Sequence, residues 1–498
     1  MADSYQNLIG GDWVPAAGGG TFESINPANR DEVVGAFPRS AAEDVDRAVK
    51  AAEKAYRTWR LVPPPRRGEI IMRAAELLRE RKEDLARLMT REMGKVLKEA
   101  RGDVQEAIDM GFFAAGIGRR PFGETIPAEL PNKLAFTFRE PVGVAGLITP
   151  WNFPVAIPSW KMFPALMAGN AIVFKPAEDT PLCATRFVEA LLDAGLPEGV
   201  VNIVHGLGEE AGAALVEHPG VGVISFTGST DVGRQIAARC GQLLKRVGLE
   251  LGGKNAIVVM DDADVELAVE GALWAAFGTS GQRCTAASRL IVHQRQLGDF
   301  QDLLRQRAET LRVGDGLDEA VELGPVVNEA QLKRVHSYTE VGVGEKAKLL
   351  TGGQVLTEGA LGRGFFYAPT IFVEVTPKMR IAQEEIFGPT TVVMPVESFD
   401  QALTFANSTR YGLSLSIYTR NVDRAFRAMR ELEAGIVYIN APTIGAEIQT
   451  PFGGIKNTGN GHREAGTTAM DEFTEWKTVY VDYSGRLQKA QIDTADGS

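Results

Sequence analysis

Cysteine, histidine and long apolar runs are what this chain has least of. Its three cysteines, Cys183, Cys240 and Cys284, stand too far apart for a disulfide framework or a metal-ligand spacing. A cytoplasmic, reducing location is therefore expected, and no metal. The five histidines, His205, His218, His293, His336 and His462, include no HxxxH or HxH pair. That argues against zinc, and nothing in their placement points to a His-dependent hydrolase triad. No apolar run reaches the roughly 18 residues that a membrane helix needs. The opening Met1-Ala-Asp-Ser-Tyr-Gln-Asn carries an acid and no apolar core, so a secretory signal is not expected. Blocks of lysine and arginine are missing too, and the net charge is −11. Neither nucleic acid nor an anionic membrane surface is then expected as the main partner. Repeats and low-complexity tracts are absent apart from Gly18-Gly19-Gly20.

What is present is ordinary globular material in quantity. Of 498 residues, 44% are hydrophobic and 23% charged, enough for two large domains or about three smaller ones. Residues 8–37 read as short strands and turns. Ser40-Ala-Ala-Glu43 reads as a capping box opening a helix, with Val45, Ala48, Val49 and Ala52 on one face. After Pro63-Pro64-Pro65 a second helix runs through Ile70, Ile71, Ala74, Leu77 and Leu78, and a third covers roughly residues 96–117. The pattern changes at 121–140 to that of a protruding hairpin. Strands are then expected at 144–149, 171–174, 200–204 and 223–226, alternating with helices such as 183–194. Strands alternating with helices imply a parallel sheet of nucleotide-binding type with right-handed crossovers. A second such series runs from residue 254 to about 440. The stretch 474–482 looks like an exposed strand at a chain end, and such strands usually find a partner.

Chemistry concentrates in a few places. Phe277-Gly-Thr-Ser-Gly-Gln-Arg-Cys284-Thr-Ala-Ala-Ser288 surrounds one cysteine with small and polar residues, and its glycines let the backbone turn and leave the thiol accessible. Alone this loop could equally hold an idle thiol. Pro150-Trp-Asn-Phe-Pro154 puts an amide, Asn152, at the end of a strand, where open parallel sheets gather ligands. Lys175-Pro-Ala-Glu178 ends the next strand with a cation and then an acid. Phe226-Thr-Gly-Ser-Thr-Asp-Val-Gly233 ends another, with Gly228 and Gly233 bracketing a helix start suited to a phosphate. Glu250-Leu-Gly-Gly-Lys254 adds a carboxylate. A thiol, a carboxylate base and an amide donor make a complete acyl-transfer set.

In these segments, and in Glu384-Glu-Ile-Phe-Gly-Pro389 and Pro451-Phe-Gly-Gly-Ile-Lys456, the sequence resembles the aldehyde dehydrogenase superfamily, in order and spacing over almost the whole chain. The resemblance implies an α/β fold: a Rossmann-type parallel-sheet cofactor domain (1–119 and 141–252), an α/β catalytic domain (253–467) and a small β oligomerisation arm (120–140 and 468–498). It implies that Cys284 is the nucleophile, that Asn152 and the Cys284 backbone N–H hold the oxyanion, that Glu250 is the general base, and that Lys161 lies near the oxyanion. Lys175 and Glu178 would hold the adenosine ribose, Glu385 the nicotinamide ribose, with Phe387 against the ring. Ser229 and the Gly228–Gly233 helix start would face the pyrophosphate. Thr149, Pro150, Trp151, Gly208, Gly212, Phe226 and Leu251 complete the implied cofactor contacts. One departure stands out: Gly459-Asn-Gly-His-Arg-Glu464 has one residue more than the family pattern, which leaves the positions of Arg463 and Glu464 open.

Glu178, able to accept from both ribose hydroxyls and to repel a 2′-phosphate, favours NAD over NADP, which stays possible. Arg283, beside the nucleophile, is either a cation that stabilises the loop or a reader of an anionic group at the far end of the aldehyde. Gly-Gln-Arg-Cys-Thr resembles family members acting on semialdehydes of dicarboxylic acids, such as 2-oxoglutarate semialdehyde, and also the non-phosphorylating glyceraldehyde-3-phosphate enzymes. Phe153, Ile157 and Trp160 would line an apolar tunnel that also suits plain aliphatic or aromatic aldehydes. A cysteine thioesterase or esterase would use the same thiol and carboxylate without a nucleotide. A non-catalytic protein on this fold would be expected to have lost Cys284 or Glu250. The expected assembly is a homodimer or homotetramer, paired through 121–140 and 476–482.

Overall fold

A computed structural model describes residues 3–120 and 122–492; residues 1, 2 and 121 and positions 493–498 of the expected arm lie outside the described residues. Two seven-stranded sheets organise the chain. In the first, the order is Arg246–Glu250, Val223–Thr227, Val144–Ile148, Ala171–Lys175, Val201–Ile203, Asn7–Ile9 and Asp12–Val14. The first five are parallel and the last two are added antiparallel. Val144–Ile148 and Ala171–Lys175 are buried throughout, as strands covered on both faces must be, which is why they read as continuous apolar runs. The chain moves from Val144–Ile148 outward one way and then returns to its other side with Val223–Thr227. That reversal opens a crevice beyond the C-terminal ends of these two strands, the usual ligand position in such a sheet.

In the second sheet, Asn255–Val259 lies between Ala287–His293 and Ser414–Tyr418, parallel to both. Only the segment from Leu251 to Lys254 separates the last strand of the first sheet from the first strand of the second. Asn255 tightens this junction: its Nδ2 donates to the Cys284 and Ala286 carbonyls at 2.7 and 3.0 Å. The C-terminal end of one sheet is thereby brought against the loop that enters the other.

The helical N-terminal part differs from the sequence reading in two respects. Four helices, not three, precede the hairpin, because the chain breaks at Arg81 and restarts as Lys82–Met93. The first helix starts at Ala42 with Ala41 as its N-cap. Ser40 instead accepts a 2.8 Å hydrogen bond from Asn7, while Asp44 accepts from the Ala41 N–H. The Leu97–Ile117 helix packs closely: a Cβ on Gly111 would come within 2.7 Å of the Ala75 Cβ. The expected hairpin is Thr125–Ile126 paired with Lys133–Pro141. The exposed strand of the sequence reading, Thr474–Asp482, finds its partner within the chain, pairing antiparallel with Lys133–Pro141 over nine residues and leaving its other edge free. No helix among the described residues is long and apolar enough to cross a membrane.

Candidate active site

The loop that carries Cys284 makes a strained turn. After the Val265–Phe277 helix, Thr279, Ser280 and Gly281 all take left-handed backbone angles, φ 52°, 55° and 68°. Two consecutive non-glycine residues there store strain, which persists only where neighbours over-determine the geometry. Here Glu99 accepts from the Thr279 N–H with both oxygens at 2.8–2.9 Å, Ser280 donates to the Gly324 carbonyl at 2.7 Å, and Gln282 accepts from the Val327 N–H at 2.9 Å. Gly281 has no alternative, since a Cβ would lie 2.0 Å from the Gly388 carbonyl oxygen. The turn leaves Cys284 half-buried rather than open.

A cavity of about 1330 Å³ reaches Cys284. Phe153, Ala156, Ile157 and Trp160, spaced to share one side of the Ala156–Ala168 helix and its entry, line it. Phe452 closes edge-on over Trp160 at 5.0 Å. Glu250, Leu251, Arg283 and Glu464 also line the cavity. Among the described residues neither oxygen of Glu250 has a hydrogen-bond partner, and its carboxyl is pushed well above the usual range by burial and by Glu464, partly opposed by Lys161 and Arg463. Burial, then the Glu250 and Glu385 carboxylates, push the Cys284 thiol up to about 12.

Asn152 is buried beyond the Val144–Ile148 strand, with one amide N–H donated to the Gln282 carbonyl at 3.1 Å. That anchors it to the residue two before the nucleophile and leaves its second N–H. Lys161 is fully buried, and its ammonium is engaged by the Glu464 carboxylate and, at 2.9 Å, by the Ser225 hydroxyl. Its charge opposes the upward shift of the Glu250 carboxyl, which Glu464 adds to. Glu464 reaches this place despite the extra residue upstream. Asn460 clips the loop onto the Arg246–Glu250 strand, donating to the Val247 carbonyl at 2.7 Å, and Gly461 turns with φ 91°. His462 then lies 3.0 Å from Glu472.

Arg283 is also more committed than the sequence implied. It donates to Glu99 at 3.1 Å and to the Thr279 hydroxyl at 2.9 Å, and its guanidinium lies over the Phe153 ring at 5.3 Å. It is a loop-stabilising cation and a cavity-wall cation at once.

The expected cofactor residues gather at the C-terminal ends of the first sheet. Lys175 ends its strand and pairs with Glu178 at 2.8 Å. Ser229 caps the Thr230–Gln242 helix, accepting from the Val232 N–H. Gly233 lets Leu251 approach, since a Cβ there would lie 2.3 Å from the Leu251 methyl, and Gly228 does the same for the Phe226 ring. Thr149 donates its N–H to the Lys175 carbonyl, and Gly208–Gly212 forms a tight π-helical turn whose Gly212 faces the Lys175 side chain. From the second sheet come Phe387, edge-on to Trp151 at 5.4 Å, and Glu385, accepting from the Gly253 N–H at 2.9 Å. Pro150 lies between Thr149 and Trp151, just beyond the end of the Val144–Ile148 strand.

A helix start with a serine cap, two glycines that keep side chains out, and a carboxylate beside a strand end fit the parts of a dinucleotide. Over residues 13–479 the chain matches the Aldehyde dehydrogenase family. It belongs to that family.

Among relatives of this aldehyde dehydrogenase is the alpha-ketoglutaric semialdehyde dehydrogenase of Bacillus subtilis, 44% identical over 96% of this chain and 98% of the relative. The 2,5-dioxopentanoate dehydrogenase of Saccharolobus solfataricus is 41% identical over 96% of this chain and 99% of the relative. In three dimensions the chain superimposes on the betaine aldehyde dehydrogenase of Staphylococcus aureus in complex with NAD+, with TM-score 0.95 and 34% identity, covering 97% of this chain and 95% of that one.

Sequence reasoning passed over Glu99, Asp103, Glu106 and Phe452. The three acids stand at i, i+4 and i+7 on a packing helix, and that spacing was the available signal. Among the described residues no cluster of His, Cys, Asp and Glu could hold a metal ion.

Proposed function

We propose that this aldehyde dehydrogenase oxidises an aldehyde bearing a distal carboxylate, of the 2-oxoglutarate semialdehyde type, to the carboxylic acid with NAD. The observation that carries this reading is that Cys284, Glu250 and Arg283 line one cavity. The names of the Bacillus and Saccharolobus relatives and the NAD+ bound in the Staphylococcus structure support it.

In the first step the Cys284 thiol loses its proton to solvent and the thiolate sulfur bonds to the carbonyl carbon, opening the C=O π bond to give a thiohemiacetal. The carbonyl oxygen takes the charge, held by the second N–H of Asn152 and the Cys284 backbone N–H. Losing one such donor costs roughly 3–4 kcal/mol of barrier. Bound NAD would supply the acceptor for the hydride on this carbon. Lys175 and Glu178 would hold the adenosine ribose, and Ser229 with the helix start between Gly228 and Gly233 would face the pyrophosphate. Glu385 would hold the second ribose, with Phe387 and Trp151 beside the ring. The carbon left on Cys284 is a thioester. Glu250 takes a proton from water, the resulting hydroxide attacks the thioester, and the acid leaves as the thiol is regenerated. Lys161 acts through Glu464 as a positioning residue.

The cofactor unit comprises 1–119 and 141–252, the catalytic unit 253–467 and the arm 120–140 and 468–498. The free edge of Thr474–Asp482, with Trp476 and Tyr480 exposed, supports pairing with a second copy in a dimer or tetramer. We place the enzyme in the cytoplasm. The apolar stretch of Phe153, Ile157, Trp160 and Phe452 favours a second reading, a broad specificity for neutral aldehydes. Absorbance at about 340 nm, where reduced nicotinamide absorbs, with NAD and carboxylated, aliphatic and aromatic aldehydes separates the two. A higher kcat/KM for the carboxylated aldehydes supports the first reading, equal values support the second, and silence with every aldehyde contradicts both.

A further inference from the structure

The Leu97–Ile117 helix presents Glu99, Asp103 and Glu106 to the cavity that contains Cys284. Two of the three have fixed partners. Glu99 accepts from Thr279 and Arg283. Asp103 is in a fully buried ion pair with Lys95 at 2.8 Å and accepts from the Ala156 N–H at 2.7 Å. Glu106 has none: among the described residues no hydrogen bond or ion pair engages its carboxyl. It is half-buried on the wall of the same cavity as Arg283 and within reach of that cation's field.

We propose that Glu106 is a specificity-determining residue that donates a hydrogen bond to the distal carboxylate of the aldehyde, while Arg283 supplies the positive charge. The assignment rests on the substrate class proposed above. Its logic is a charge count. Arg283 already faces Glu99, so a substrate carboxylate places two anions on one guanidinium. An ionised Glu106 would make three. A protonated Glu106 turns the third anion into a donor, and carboxyl–carboxylate hydrogen bonds are among the short, strong ones. The groups around Glu106 favour the proton. Burial and Asp103 raise its pKa, Arg283 and Lys95 oppose them, Asp109 adds a further negative charge, and the balance is about 8. Glu99 on the same helix, Tyr438 in the Ile436–Ile439 strand and Glu447 in the loop beyond it complete the surroundings.

The readout is the ratio of KM for 2-oxoglutarate semialdehyde to KM for hexanal, measured with NAD across a pH series. In the wild type this ratio is low at neutral pH and rises about tenfold by about one pH unit above the Glu106 pKa, as the donor becomes a repelling anion. In Glu106→Gln, which keeps a donor and cannot ionise, the ratio stays low and flat. In Glu106→Ala it is high and flat. A Gln variant whose ratio rises with pH as in the wild type overturns the assignment while leaving the substrate class standing. A wild-type ratio near one at every pH overturns the substrate class itself.

Discussion

Replacing Glu99 with alanine tests whether the strained nucleophile turn depends on a single carboxylate. Glu99 is the only side chain accepting from the Thr279 N–H among the described residues, and it also holds the Arg283 guanidinium. Both groups of this ion pair are 13% exposed. Removing the carboxylate leaves a buried backbone N–H without an acceptor, which costs about 1–3 kcal/mol. The loss of the shielded ion pair adds about 1 kcal/mol, so roughly 2–4 kcal/mol in all is expected. With an unfolding entropy of roughly 2 cal/mol/K per residue, a chain of 498 residues loses about 1 °C for each kcal/mol. Thermal unfolding of Glu99→Ala should therefore fall about 2–4 °C below the wild type. Glu99→Gln, whose amide oxygen can still accept from Thr279, should lose about half as much. The functional signature is slower alkylation of Cys284 by iodoacetamide in the alanine variant, as the turn relaxes from the geometry that aims the thiol at the cavity. A Glu99→Ala protein with wild-type melting and wild-type alkylation would refute the reasoning, because the left-handed turn would then be held by something other than Glu99.

The other expectations concern neighbouring groups. Arg283→Ala should raise KM for carboxylated aldehydes about tenfold, and much more than for hexanal or benzaldehyde; equal changes would mean that Arg283 serves the loop alone. Lys161→Met removes the cation that holds the Glu250 pKa down, so the alkaline-going rise in kcat should move to higher pH, and an unmoved profile would detach Lys161 from the reaction. At His462, burial lowers the pKa but Glu472 outweighs it, and the net shift is upward. A raised folded-state pKa stabilises fully below the unfolded value near 6.5 and ceases to do so as pH rises through the folded value. The melting difference between wild type and His462→Gln should then be largest in mild acid and fade in base, and a difference growing with pH would contradict the pairing.

How much of this was legible in the sequence follows from the range of the interactions involved. The sheets were readable because strands such as Val144–Ile148 are buried on both faces, and the strand-end segments because glycine and proline punctuate them. Cys284, Glu250 and Asn152 could be picked out as chemically competent residues, and the resemblance implied the roles proposed for them. The partner of Lys161 could not be read, since Glu464 lies 303 positions away and behind a lengthened loop. The same holds for Arg283 and Glu99, 184 positions apart: from sequence alone the arginine looked free to choose between loop and substrate. Local signals misled at Ser40, whose hydroxyl serves Asn7 rather than the helix start. They were silent at Arg81, where a change of backbone angle divides two helices that share an apolar period.

The central claim is that oxidation passes through an acyl group on Cys284 that Glu250 then clears. Glu250→Gln mixed with NAD and 2-oxoglutarate semialdehyde tests it most directly, read by rapid absorbance of the reduced nicotinamide and by the mass of the intact protein. One equivalent of reduced cofactor per active site, followed by near-arrest and an acyl adduct on Cys284, is the predicted result. Sustained wild-type turnover, or a burst that leaves Cys284 unmodified, would contradict it.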